Sequence, residues 1–195
     1  MNRSTVMMIS SLFAAGCGTS DLSSELVGTW DSSTCEAYPA GNGNMTYLER
    51  NFTITSAPDN WTLKVIIYAD SACTTPFVEE DVGDSTYTVV GSSSAVAGAE
   101  EVDYNFAYRK LMPLSDAATS TLDQTPMCGT SWTTNVEQDL STTGCPTFGV
   151  DTITSCPTEH DLNKVTGTNL FYGDRSGDLC NSRPITLGTH PVVKR

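Results

Sequence analysis

Basic residues are scarce in this 195-residue chain: 10 Lys and Arg stand against 23 Asp and Glu, a formal charge of −13. That balance speaks against nucleic-acid binding, which needs clustered Lys and Arg to displace counterions from phosphates, and no basic stripe occurs. Histidine is scarcer still, with only His160 and His190, and no C-x-x-C pair exists, so zinc-ligand spacing is missing. The G-x-S-x-G elbow, the H-E-x-x-H helix and the P-loop are absent, and the expectation is a non-enzymatic chain without metal or cofactor. Long apolar runs are missing too. Val6–Ala15, broken by Ser10 and Ser11, is too short to cross a hydrocarbon core of about 30 Å as a helix. Low charge density, 17% against 38% hydrophobic residues, argues against disorder.

What fills the gap is uncharged and β-forming. There are 28 Thr, joined by Val, Tyr and Ile, whose branched or aromatic side chains suit a pleated, half-buried surface. The length fits one domain, and neither an internal repeat nor a composition break marks a second. Strands are expected over Val27–Glu36, Thr46–Thr55, Trp61–Tyr68, Pro76–Asp81, Ser85–Val90, Glu101–Lys110, Thr133–Leu140, His160–Thr166 and Thr168–Gly173. In the strand over Glu101–Lys110, alternation places Val102, Tyr104, Phe106 and Tyr108 on one face and Asp103, Asn105 and Arg109 on the other. The only helix expected lies in Pro113–Thr125, with Ser115 as N-cap. The tail Asn181–Arg195 shows little periodicity. Eight or more antiparallel strands must manage their edges, and closure into a barrel removes them; a two-sheet sandwich is the competing arrangement.

Residues 1–16 read as a signal peptide, with Arg3 as its positive end. It runs into Ala14-Ala15-Gly16-Cys17, which resembles the bacterial lipobox, where cleavage precedes a cysteine that becomes acylated. Cys17 is thus the expected lipid anchor, residues 17–25 a polar tether, and residues 26–195 the folded domain. Loss of Arg3 leaves nine basic against 23 acidic residues. Gly rather than Asp at position 18 resembles the pattern for passage to an outer membrane. Six cysteines remain: Cys35, Cys73, Cys128, Cys145, Cys156 and Cys180. An even number in an exported chain implies three disulfides with fifteen possible pairings. Cys35–Cys73 is favoured because both flank the same early strands, leaving pairings among the last four.

Several segments, in order along the chain, carry a resemblance. They are Leu26-Val27-Gly28-Thr29-Trp30-Asp31-Ser32-Ser33-Thr34-Cys35-Glu36, then 47–53 (Tyr-Leu-Glu-Arg-Asn-Phe-Thr), 68–76, 98–104, 170–174 and Arg183-Pro184. Together they resemble the adenomatosis polyposis coli down-regulated domain, found in secreted Wnt antagonists of animals. The resemblance implies an all-β fold: an antiparallel lipocalin-like β-barrel, here with one short helix and disulfide staples, whose cavity can receive lipid. Animal members carry two such domains and are thought to sequester the acyl group of Wnt ligands; this chain has length for one. Gly28-Thr29-Trp30 also resembles the lipocalin G-x-W, whose Trp closes one barrel end beneath an Arg, a part open here to Arg50 or Arg183. Gly28, Trp30, Arg50 and Arg183 are therefore expected to be structural.

The functional expectation follows. Trp61, Leu63, Tyr104, Phe106 and Tyr108 are candidate lining for a hydrophobic ligand such as a lipid or acyl chain. The membrane is a partner through the acyl anchor, and a protein partner is not identified. Glu159-His160-Asp161 looks like acid–base chemistry, but neighbours on a strand face opposite ways, so His160 is expected to be structural. Glu79-Glu80-Asp81 and Glu100-Glu101 read as solvated faces. The alternative is a filled barrel acting as a surface module, binding a protein or cell-wall partner through acidic loops.

Overall fold

The computed structural model describes residues 22–39, 44–56 and 59–195. The signal segment, Cys17 and the Pro58 turn lie outside the described residues. The described part of the expected tether carries a five-residue helix, α1 (Leu22–Leu26), which ends on the fully buried Leu26.

Eight strands close a barrel in simple chain order. They are β1 (Gly28–Ser32), β3 (Met45–Ile54), β4 (Asn60–Tyr68), β5 (Pro76–Ser92), β6 (Glu100–Asn105), β9 (Thr158–Thr166), β10 (Asn169–Tyr172) and β11 (Val192–Lys194). Each pairs antiparallel with the next, and β11 returns to β1 through Trp30↔Lys194, Asp31↔Val193 and Ser32↔Val192. This up-and-down closure leaves no sandwich edge to protect. Its last strand comes from the tail that shows little periodicity, because three residues are too few to display alternation.

Two expected strands are broken, and the breaks shape the molecule. Val27–Glu36 divides at Ser33–Cys35 into β1 and β2 (Glu36–Pro39); both lie along β3, at Ile54–Asn51 and at Leu48–Met45. Glu101–Lys110 divides at 106–109 into β6 and β7 (Lys110–Pro113), both along β5. Below the breaks β1 and β6 also pair with β11 and β9. Above them, among the described residues, β2 has no further partner in the sheet, while β7 carries only the two-residue β8 (Gln138–Asp139). The long strands β3, β4 and β5 therefore rise past the closed ring as a wall, and the side opposite is left to loops.

The closed end is packed with Trp30, Ile54, Val82, Val102, Leu170 and Val192, all 1% exposed or less. A second small core sits beside the wall. There α2 (Asp116–Gln124) buries Ala118 and Leu122 against Val78, Leu111, Trp132 and Leu140. Its N-cap is Ser115, whose hydroxyl accepts from Ala118 N–H at 3.2 Å. The disulfides are Cys35–Cys73, Cys128–Cys145 and Cys156–Cys180. The first ties the β1–β2 break to the loop before β5, the second staples the small core, and the third joins the segments before β9 and after β10.

Trp30 is fully buried and its indole N–H donates to Leu26 O at 2.8 Å. The cation over its ring is Lys194, with Nζ 5.0 Å from the centroid. Neither arginine takes that part. Arg50 points to the other end of the barrel. Arg183 clamps the tail outside β6, with Nη2 2.5 Å from Asp103 Oδ1 and Nη1 donating to Val102 O at 2.9 Å. The closing strand supplies its own cation because β11 pairs directly with Trp30.

Candidate functional site

Above the closed end, the barrel holds a cavity of about 750 Å³. Its floor is aromatic. Phe52 stacks on Tyr172 with centroids 4.6 Å apart, and Trp61 meets Tyr104 and Phe106 edge-on at 4.9 and 5.5 Å. These rings converge because Phe52, Trp61 and Tyr104 occupy inward positions of β3, β4 and β6, and Phe106 follows where β6 ends. Leu48 on β3, with Leu63, Val65 and Ile67 on β4, continues the same inward faces up the wall by the two-residue strand period. These four aliphatic side chains are only half-buried, on a face that is fully buried lower down. They line open space.

The opposite side is polar and built from the two loops joined by Cys156–Cys180, which contribute Asp151, Arg175 and Asp178. Three arginines enter the lining, and each is held by carboxylates. Arg50 Nη2 lies 2.9 Å from Glu36 Oε2 and also donates to His190 O at 2.8 Å. Arg109 Nη2 lies 3.0 Å from Glu80 Oε1, with its guanidinium over the Phe106 ring at 4.7 Å. Arg175 Nη1 lies 2.8 Å from Asp161 Oδ2 and Nη2 pairs with Glu159.

Burial pushes the Glu80 carboxyl up, against the pull of Arg109. The same cause raises Asp161, opposed by Arg175 and by the backbone N–H groups of Leu162 and Gly173. Burial also raises the Tyr104 and Tyr172 phenols, so both stay neutral at physiological pH. Tyr38, whose hydroxyl donates to Glu36 at 2.7 Å, is pushed up to about 12, first by desolvation.

Of the sequence candidates, Trp61, Leu63, Tyr104 and Phe106 come together in this lining. Tyr108 does not. The strand ends at Asn105, the face alternation stops there, and Tyr108 instead lies across Gly83, with Lys110 Nζ 4.4 Å from its ring centroid. The same break turns Arg109 into the cavity wall. The acidic run 79–81 is not a solvated face: Glu79 and Glu80 are 8% and 9% exposed, and Glu79 pairs with Lys64 at 2.7 Å. The available signal was that Val78, Glu80 and Val82 share one strand face. His160 points away from Glu159 and Asp161, and its Nδ1 meets Asp103 Oδ1 at 2.7 Å on β6. Asp151, Cys156 and Cys180 cluster, but both sulfurs are joined in a disulfide, so only one carboxylate could meet an ion.

A closed eight-stranded antiparallel barrel with a cavity open at one end, apolar on the β3–β4 wall and polar opposite, defines a lipocalin-like domain. The family model described as adenomatosis polyposis coli down-regulated 1 matches residues 6–147, most of the chain, and the protein belongs to that family. A search of curated proteins finds no match.

Proposed function

We propose that this protein is a non-catalytic, membrane-tethered carrier that binds one hydrophobic ligand, a lipid or acyl chain, inside its barrel. The observation that carries the reading is the row Leu48, Leu63, Val65 and Ile67, half-buried around about 750 Å³ of space above an aromatic floor. Cavities of roughly 300–1,000 Å³ that pair apolar walls with placed polar groups suit small ligands. Each methylene moved from water onto such walls contributes about 0.8 kcal/mol. The family supports the reading at the level of fold. Cys17, acylated, would hold the domain at an outer membrane, beside its lipid source, and the three disulfides fit an oxidising compartment.

The test is native mass spectrometry of the full chain extracted from its own membrane. The reading expects a stoichiometric lipid-sized mass on the barrel, in addition to acylation at Cys17. Bare protein that takes up no lipid after delipidation would end it.

A further inference from the structure

We infer that the cavity selects an acyl lipid with an uncharged, oxygen-bearing headgroup, such as a glycerol ester, over an ionised fatty acid. This inference rests on the ligand reading above. Its basis is the state of the three arginines. A barrel built to hold a carboxylate or phosphate needs a cation left over, and among the described residues of the lining none is. Arg50 is matched by Glu36, Arg109 by Glu80, and Arg175 by Glu159 and Asp161 together. Asp151 and Asp178 add two further acids to the lining. Four carboxylates thus line the cavity, Glu80, Asp151, Glu159 and Asp178, and with Glu36 and Asp161 outside the lining they make six against three guanidinium groups, in a chain whose overall charge is −13.

An anionic headgroup would have to displace a buried carboxylate from its arginine, or sit uncompensated beside an excess of like charge; both are costly away from water. A neutral headgroup meets neither penalty. The polar groups on the loop side, Asp151, Arg175 and Asp178 among them, offer hydrogen-bond partners to its hydroxyl and ester oxygens.

The experiment compares two probes with the same chain, monopalmitoylglycerol and palmitate, titrated into the delipidated full-length protein at neutral pH. The expected result is palmitate binding weaker by about tenfold or more. Asp151→Asn, an exposed change at the mouth, should narrow that gap by strengthening palmitate alone. Equal or tighter palmitate binding overturns the inference and leaves the ligand reading standing, as does a gap that Asp151→Asn fails to narrow. Failure of both probes to bind removes the ligand reading and this inference with it.

Discussion

Arg109 and Glu80 form an ion pair within the cavity wall, Nη2 to Oε1 at 3.0 Å, although 29 residues separate them and each side chain is about nine-tenths buried. The pair sits where β6 gives way to β7, so it fixes the break that lets the wall rise beyond the ring. Removing one partner leaves a buried charge unmatched, which typically costs about 3–5 kcal/mol. Arg109→Met should therefore lower unfolding free energy by that order in chemical denaturation. Arg109→Met combined with Glu80→Leu should recover most of the loss, because the uncompensated carboxylate is gone.

Gly173 is the tightest backbone approach near the arginine-rich side. A Cβ there would lie 2.1 Å from Pro184 Cγ and 2.6 Å from Asp161 Oδ1. Asp161 also accepts from Gly173 N–H at 2.8 Å. Neither neighbour is the end of a flexible chain: one is a proline ring, the other a buried carboxylate held by Arg175. Gly173→Ala should destabilise by about 1–3 kcal/mol or more through overpacking, read as a lowered melting temperature. Gly177→Ala, with nothing within 4 Å of its Cβ, is the control and should melt within a few degrees of the parent.

Asp70 sets the turn between β4 and β5 that carries Cys73. Desolvation acts against its charged form, but N–H groups of Ala72, Thr74 and Thr75 hold the carboxyl down to about 2, from an ordinary 3.8. A depressed folded-state value means that its contribution is complete above the ordinary carboxylate range and is lost as pH falls toward 2. The denaturation midpoint of Asp70→Ala should lie below the parent's at neutral pH. The difference should shrink between about pH 4 and pH 2.

Val65 projects from mid-wall into the open space. Val65→Trp should occupy the volume that a chain would fill and weaken lipid binding by about tenfold or more. Filling a void commonly adds about 0.5–2 kcal/mol, so stability should hold or rise. The parent's Trp61, in the floor, gives the binding signal by fluorescence.

How much of this was legible beforehand depended on the range of each interaction. The alternation of Trp61, Leu63, Val65 and Ile67 shows β4 and its inward face directly, and Ser115 before an Ala-rich stretch shows the helix start. The Cys35–Cys73 pairing followed from neighbouring strands. The two strand breaks did not, because Ser33–Cys35 and 106–109 keep an extended pattern while the chain changes partners. The break at 106–109 hid Arg109 and misplaced Tyr108. The ion pairs were also hidden: Glu36 and Arg50, like Glu80 and Arg109, meet only once β2–β3 and β5–β7 pairing is known. Closure by β11 depends on register between the two ends of the chain, which no local window contains.

The account's central claim is an acyl chain lying along the β3–β4 wall above the aromatic floor. It is tested most directly by affinity across monoacylglycerols of increasing chain length, measured on the delipidated full-length protein. The account predicts about fourfold tighter binding per added methylene, the equivalent of about 0.8 kcal/mol, up to a length that fills the cavity and then a plateau. Affinity that does not change with chain length would contradict it.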